Sequence, residues 1–199
     1  MLKLILLIVS FIFGTIPFGY IITRMVKGVD IRQFGSGNVG ATNVLRIAGK
    51  GWGILVFILD FAKGFIIPYL AYSIGKFESY FFIVLGILAI LGHNWTPFLK
   101  FKGGKGVATS LGVLFALSFY FVSFKLILPV ILLVWLIVFL LSRLVSLASI
   151  LASLAFLILS LNLSQFIEVK ILAIVLFFLI LIRHKNNVKR MLKGAENRF

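Results

Sequence analysis

The chain has 199 residues, of which 62% are hydrophobic and only 13% are charged, and its mean hydropathy is +1.19. A water-soluble domain of this size needs more surface charge, so the composition indicates an integral membrane protein. Twenty Lys and Arg against five Asp and Glu give a formal net charge of +15. In so apolar a chain, loops beside the membrane and phosphorylated or lipid partners explain this excess, and no nucleic-acid partner is expected.

Cysteine is absent from the sequence. Disulfides, thiolate nucleophiles and cysteine-based metal sites are therefore excluded. The five carboxylates are scattered along the chain, which argues against a multi-carboxylate metal cage. We expect neither a metal nor a cofactor.

Seven apolar runs predict an all-α membrane bundle of about seven transmembrane helices, in one domain that spans residues 1–199. The predicted spans are 2–23, 53–74, 80–92, 107–123, 126–142, 147–163 and 171–182. The first run imitates a signal peptide but lacks a small-x-small cleavage site, so we interpret it as a retained span. The third is short for a bilayer unless it is tilted or partly re-entrant. A short turn is predicted at residues 75–79.

The basic residues predict the orientation. If the N-terminus lies outside, fifteen of the twenty fall on one side of the membrane, which the positive-inside rule makes cytoplasmic. They are Arg24, Lys27, Arg32, Arg46, Lys50, Lys100, Lys102, Lys105, Arg143, Arg183, Lys185, Lys189, Arg190, Lys193 and Arg198. With seven spans the C-terminus is then cytoplasmic.

A first polar motif occupies residues 35–46, with the sequence GSGNVGATNVLR. Gly-Ser-Gly-Asn is typical of a turn, and a helix that starts near Asn38 would place Val39, Thr42, Asn43 and Arg46 on one face. The guanidinium fork of Arg46 suits a phosphate, and the turn could add backbone donors. The alternative is an interfacial helix with Arg46 on lipid phosphates.

A second motif places three lysines and three glycines between Lys100 and Gly106, directly before an apolar helix. Glycine lets backbone N–H groups approach an anion, and lysine supplies a mobile charge. The alternative is a basic loop that only obeys the positive-inside rule. His93, at the entrance, is a candidate for a supporting role.

A third motif, at residues 183–196, begins with Arg-His-Lys-Asn-Asn. His184 and Asn187 are one helical turn apart, and neighbouring cations favour the neutral imidazole, which can accept a proton. A basic tail on anionic lipid explains the composition equally well. Within the second span, Asp60 and Lys63 are spaced to form an ion pair, which we interpret as structural.

All three motifs are predicted on the cytoplasmic side. A site with several phosphate-binding groups, a base and no thiol would suit acyl transfer between an activated lipid and a phosphorylated alcohol. It would equally suit an anion transporter.

The three motifs, in this order, strongly resemble the bacterial PlsY family of acyl-phosphate:glycerol-3-phosphate acyltransferases, and the resemblance also covers residues 60–64 and 143–147. It implies a multi-pass enzyme of the bacterial inner membrane whose site faces the cytoplasm. It implies glycerol 3-phosphate and fatty acyl phosphate as substrates, membrane lipid as surroundings, and a functional link to the enzyme that supplies acyl phosphate. Lysophosphatidic acid and phosphate would be the products.

The resemblance also implies roles for residues of this chain. Its catalytic candidates are Ser36, Arg46, Lys105, His184 and Asn187. Gly103, Gly104 and Gly106 match its glycerol-phosphate loop, and the full set of substrate-binding candidates is Gly37, Asn38, Thr42, Asn43, Gly103, Gly104, Gly106 and Ser146. Glu196 matches a glutamate with a structural role.

Overall fold

The computed structural model describes residues 1–75 and 77–199, and within them the regular structure is helical throughout. The helices are α1 Leu2–Thr15, α2 Phe18–Lys27, α3 Ala41–Ala48, α4 Lys50–Ile74, α5 Ser79–Asn94, α6 Val107–Leu117, α7 Phe124–Ser142, α8 Val145–Leu163, α9 Ile167–Arg183 and α10 Lys185–Leu192. Short 3-10 helices cover Ile31–Gln33 and Pro97–Leu99. The turn predicted at 75–79 includes Lys76, which lies outside the described residues.

Five segments in the described part of the chain are long and apolar enough to cross a bilayer. They are Leu2–Lys27, Lys50–Ile74, Ser79–Leu99, Phe124–Ser142 and Val145–Leu163. The first contains both α1 and α2. These are separate helices because Pro17, which has no N–H to donate, interrupts the segment between them. The predicted all-helical membrane protein is thus confirmed at the level of class.

The span predicted at 107–123 is wrong in its length, because α6 ends at Leu117. The chain turns after that residue and buries the Phe121 ring, which packs against the buried ring of Phe124 and the exposed ring of Phe166 at centroid distances of 6.0 and 5.0 Å. Aromatic packing of this kind outweighs continuation of an apolar helix. At 11 residues, α6 is shorter than a bilayer-crossing helix.

The chain forms two compact units, Met1–Leu117 and Ser118–Phe199, which are described in turn, and the single-domain expectation stays a prediction. In the first unit the main helix pairs are α4 with α6 and α1 with α5. Glycines make the first pair close: a Cβ on Gly64 would meet the Thr109 backbone, and a Cβ on Gly112 would meet the Phe61 backbone. Small residues serve membrane helices in this way because lipid gives no hydrophobic drive for their association.

An ion pair lies inside α4. The Lys63 Nζ atom is 2.8 Å from Asp60 Oδ1, and both side chains are almost fully buried. Lys63 also donates to the carbonyl oxygen of Ile16, at 2.9 Å, at the break between α1 and α2. The pairing predicted from the i, i+3 spacing is confirmed, and it ties α4 to the interrupted helix end.

In the second unit α8 packs against both α7 and α9. The Trp135 indole N–H donates to the Ser149 hydroxyl across the α7–α8 pair at 3.3 Å. The end of the chain returns to the turn between these helices, where the Phe199 N–H donates to the Arg143 carbonyl oxygen at 3.0 Å. This return brings residues 193–199 beside α8 and α10.

Candidate active site

The first motif folds around the side chain of Asn43, which is 1% exposed. Its amide nitrogen lies 2.9 Å from the Asn38 carbonyl oxygen, 3.0 Å from that of Phe34 and 3.4 Å from that of Ile31. Its amide oxygen accepts the Ser36 N–H at 3.0 Å. Asn43, predicted to bind substrate, therefore holds the loop that carries Ser36.

The helix predicted to start near Asn38 starts at Ala41 instead, and this prediction is wrong. The reason is local: the Asn38 side-chain oxygen accepts the Gly40 N–H at 2.9 Å, which favours a turn over a helix. Val39 is consequently outside the helix and buried in an apolar cluster with Ile22 and Ile31. Thr42 and Arg46 remain one turn apart on α3, and both are half-buried.

Ahead of this loop, Asp30 and Arg32 form a two-pronged ion pair, with Arg32 Nη2 2.6 Å from Asp30 Oδ2 and Nε 3.0 Å from Oδ1. The Asp30 carboxylate also accepts the Arg32 N–H and so caps the 3-10 helix at Ile31–Gln33. Hydrogen bonding from Arg32 holds the pKa of Asp30 below its ordinary value. The charge of Arg32 is thereby used to fix the start of the loop.

The second motif folds back over the C-terminal end of α5. The Phe101 N–H donates to the Thr96 carbonyl oxygen at 2.9 Å, the Gly103 N–H to that of Asn94 at 3.2 Å, and the Gly104 N–H to that of His93 at 3.1 Å. Two glycine N–H groups considered for an anion thus bind the helix end. The loop they close contains Lys100 and Phe101, whose positive φ angles of 54° and 60° mark a tight turn.

Lys105 follows this fold-back directly and is half-buried. Gly106, with φ at 79°, then turns the chain into α6, and the Ser110 N–H donates to its carbonyl oxygen at 2.7 Å. A left-handed residue at this point is what glycine allows at little cost. Lys105 is therefore placed between a pinned glycine pair and a helix start.

In the second unit the carboxylate of Glu196 collects three side chains. Asn187 Nδ2 donates to Oε1 at 2.5 Å, Ser146 Oγ donates to the same oxygen at 2.9 Å, and Arg190 Nε donates to Oε2 at 2.7 Å. Burial alone would raise the pKa of Glu196, but these three hydrogen bonds outweigh it and hold the pKa below its ordinary value. Glu196 therefore fixes the orientation of both Asn187 and Ser146.

His184 lies at the junction of α9 and α10 and is 1% exposed. Its Nδ1 atom is 2.8 Å from the Ile180 carbonyl oxygen. Because a carbonyl oxygen can only accept, Nδ1 carries the proton, and in the neutral ring the lone pair is on Nε2. His184 thus has the tautomer that a proton acceptor at Nε2 requires.

The candidates fall into two groups by unit. Ser36, Gly37, Asn38, Thr42, Asn43, Arg46, Gly103, Gly104, Lys105 and Gly106 lie in the first unit, and Ser146, His184 and Asn187 in the second. Two contacts gave no signal in the sequence, because each joins residues of separate elements: His93 with Asp60, and Glu196 with Ser146. Pairing of an intramembrane carboxylate with a histidine becomes visible only once the helices pack.

A helical multi-pass membrane protein with glycine-bearing cationic loops is the class that this fold and these residues define. A family profile described as glycerol-3-phosphate acyltransferase matches residues 4–194. The chain belongs to this family.

Curated relatives agree over the full length. A glycerol-3-phosphate acyltransferase of Aquifex aeolicus (strain VF5) is 45% identical over 199 residues, which cover 100% of both chains. Another, of Wolbachia pipientis subsp. Culex pipiens (strain wPip), is 41% identical over 197 residues, covering 99% of this chain and 98% of the relative.

Two solved structures are also similar. The crystal structure of PlsY, an integral membrane glycerol 3-phosphate acyltransferase, in its glycerol 3-phosphate form has a TM-score of 0.91 and 44% identity, over 100% of this chain and 96% of that one. The lysophosphatidic acid form has a TM-score of 0.86 and 45% identity, with the same coverage. The family resemblance read from the three motifs is confirmed.

Proposed function

We propose that this chain transfers a fatty acyl group from acyl phosphate to the sn-1 hydroxyl of glycerol 3-phosphate, giving lysophosphatidic acid and phosphate. The observation that carries the proposal is the similarity, over the whole chain, to solved structures described as a glycerol 3-phosphate form and a lysophosphatidic acid form. Those two molecules are the acceptor and the acylated product of a single transfer. The reaction would open phospholipid synthesis.

The proposed step is direct. The sn-1 oxygen bonds to the acyl carbon, the bond from that carbon to the phosphate oxygen breaks, and phosphate leaves with the electron pair. Because phosphate is a stable leaving group, the reaction does not require a covalent enzyme intermediate. What it does require is that two anions be held together against their repulsion and that the hydroxyl lose its proton.

Arg46 and Lys105 are the proposed anion-binding groups. Both are half-buried, where a cation acts on an anion more strongly than in open water. Each follows a segment pinned by backbone contacts, Arg46 after the Asn43-centred loop and Lys105 after the Gly103–Gly104 fold-back. Further substrate contacts are proposed for Gly37, Asn38, Thr42, Gly106 and Ser146, whereas Asn43, Gly103 and Gly104, also expected to bind substrate, are proposed to act by holding the loops that carry Ser36 and Lys105.

His184 Nε2 is the proposed acceptor of the hydroxyl proton, supported by the Nδ1 contact that fixes its tautomer. The alternative acceptor is the phosphate of the substrate itself. Asn187, held by Glu196, is proposed to orient the reacting groups beside His184.

Replacement of His184 by Ala distinguishes the two proton acceptors. If His184 is the base, kcat falls about 100-fold or more while the KM for glycerol 3-phosphate changes little. Near-normal turnover with weakened glycerol 3-phosphate affinity would assign the proton to the substrate phosphate.

Ser36 offers a second chemical route, in which its hydroxyl is acylated first and then transfers the acyl group. This route predicts an acyl-Ser36 species that can be trapped with acyl phosphate in the absence of glycerol 3-phosphate. Direct transfer predicts that Ser36 instead binds substrate and that no acylated protein accumulates. Intact-protein mass spectrometry after rapid quenching separates the two.

The proposed setting is the bacterial inner membrane, crossed by about seven helices with the N-terminus outside. The reacting residues then face the cytoplasm. A functional link to the enzyme that makes acyl phosphate follows, because a mixed anhydride is short-lived in water. The five segments of the described residues that are long and apolar enough to span support the multi-pass part of this arrangement.

One assay tests the function against a transporter of phosphate or a phospho-ester. An enzyme in detergent releases phosphate only when acyl phosphate and glycerol 3-phosphate are both present, and forms lysophosphatidic acid. A transporter moves its anion into sealed vesicles and makes no product. Acyl-CoA offered in place of acyl phosphate tests the donor, and we expect no transfer from it.

A further inference from the structure

A buried charged cluster lies directly under residues 100–106 of the first unit, the glycine loop. Asp60 Oδ1 is 2.8 Å from Lys63 Nζ and 3.5 Å from His93 Nδ1, and the three side chains are 4%, 1% and 7% exposed respectively. Charged groups at such a depth in an apolar bundle are costly and tend to serve a function. The proposed transfer, as described above, gives this cluster no role.

His93 touches the glycine loop in two ways. Its carbonyl oxygen accepts the Gly104 N–H at 3.1 Å, and its ring occupies the space that a Cβ atom on Gly104 would need. The ring and the backbone of His93 therefore both contact the backbone of Gly104. Because Gly104 directly precedes Lys105, the position of this peptide determines where the Lys105 side chain leaves the backbone.

The Asp60 carboxylate faces the His93 ring, with Oδ1 3.5 Å from Nδ1. Because a carboxylate can only accept, this contact favours a proton on Nδ1. The opposite ring edge, with Nε2, then lies against Gly104. Lys63 holds Asp60 from the other side and is itself bonded to the Ile16 carbonyl oxygen.

We propose that His93, oriented by Asp60 and Lys63, is a positioning residue that supports the Gly103–Gly104 backbone and thereby directs Lys105 at the phosphate group of glycerol 3-phosphate. This inference rests on the proposed function for the identity of the anion. His93 touches the loop and not the reacting atoms, so it acts on substrate affinity more than on turnover.

A matched pair of amide substitutions tests the role of the ring. His93→Asn keeps a donor at the position of Nδ1 but withdraws the atoms that lie against Gly104. His93→Gln keeps an amide group at the reach of Nε2. We expect the Kd for glycerol 3-phosphate to rise about tenfold in His93→Asn and to stay within about threefold of the original in His93→Gln.

The measurement is calorimetric titration of the detergent-solubilised full chain with glycerol 3-phosphate, together with KM and kcat. The KM should follow the Kd, while kcat changes less than about threefold. Val84→Ala, a truncation on the exposed side of the same helix α5, serves as the control and should leave the Kd unchanged. If His93→Asn lowers thermal stability but binds glycerol 3-phosphate as the unmodified protein does, His93 only packs, and the proposal is wrong.

A double-mutant cycle tests the contact with Gly104. Gly104→Ala alone pushes a methyl group into the His93 ring and should weaken binding about tenfold. In the His93→Asn background the methyl group has room, so the same change should cost less than about threefold. Equal costs in both backgrounds would show that ring and loop are not coupled and would overturn the inference.

These results are separable from a failure of the proposed function. Calorimetric binding of glycerol 3-phosphate needs no acyl donor, so an unmodified protein that binds it but makes no product from acyl phosphate overturns the proposed donor and leaves the positioning test intact. An unmodified protein that binds no glycerol 3-phosphate at all overturns both.

Discussion

Glu196 shows how one carboxylate can organise several side chains that bear on a site. Its Oε2 atom pairs with Arg190, and its Oε1 atom accepts from Ser146 and Asn187. Its side chain is 7% exposed. The hydrogen bonds are therefore shielded from water, where charge-assisted bonds are strongest.

Glu196→Gln is expected to destabilise the protein by about 1–3 kcal/mol near neutral pH, because an amide cannot accept from all three donors. The pKa of Glu196 is lowered on folding, so its stabilisation is fully present above the ordinary value of 4.5 and is lost as the pH falls through the lower folded value. Thermal unfolding in detergent should show a melting difference at pH 7 that shrinks progressively as the pH falls below 4.5. A difference that does not depend on pH would contradict this role.

Asn43 has the same part in the first unit, where one amide serves four backbone groups. We predict that Asn43→Ala lowers kcat/KM at least tenfold, because the Ser36 loop loses its central support, and lowers stability by about 1–3 kcal/mol. Steady-state kinetics and melting curves measure both. Asn162→Ala, which removes one exposed side-chain bond to Ile158, is the matched control and should change neither.

At the scale of helices, the close α4–α6 contact depends on glycine at the crossing. Gly112→Ala is expected to destabilise the protein by about 1–3 kcal/mol, since the added Cβ would run into the Phe61 carbonyl oxygen and force the helices apart. Gly51→Ala, also in a helix but with nothing within 4 Å of the added atom, should be neutral or slightly stabilising. Equal melting temperatures for the two variants would show that α4 and α6 tolerate separation.

The elements were predictable where one physical requirement dominates. Spanning a bilayer needs about 20 apolar residues, and this requirement alone located the long helices. Where a competing interaction decides the outcome, the predicted helix boundaries were wrong. The Asn38 side chain turns the chain before α3, and Phe121 packs in an aromatic cluster instead of extending α6. Pro17 is plain in the sequence, but the break that it makes in the first span was not predicted.

At the scale of the whole chain, the motifs indicated which residues to examine but not how they are used. The loops at residues 35–46 and 93–106 were found from glycine, lysine and arginine alone. That Asn43 supports a loop, that two glycine N–H groups bind a helix end, and that His93 lies between Asp60 and Gly104 depend on tertiary packing. Sequence spacing carries no information on such long-range contacts.

The orientation of the whole molecule remains a prediction, and the absence of cysteine makes it easy to test. Single cysteines at the exposed positions Lys27, Lys125 and Lys193 can be labelled with a membrane-impermeant maleimide. We expect Lys125→Cys to react in intact cells, and Lys27→Cys and Lys193→Cys to react only after the membrane is permeabilised. The reverse pattern would place the C-terminus outside and remove the site from the cytoplasm.

The buried pair in α4 also constrains how this protein can evolve. Losing either Asp60 or Lys63 alone strands its partner's charge in an apolar interior, at a cost of about 3–5 kcal/mol, whereas replacing both together by apolar residues can be nearly neutral. Loss of the pair by two successive substitutions would therefore pass through a poorly folding intermediate, whereas simultaneous substitution of both residues would not. Substitutions at the two positions are therefore expected to be strongly coupled, whereas the contact of Lys63 with the main-chain carbonyl of Ile16 places no demand on the side chain at position 16.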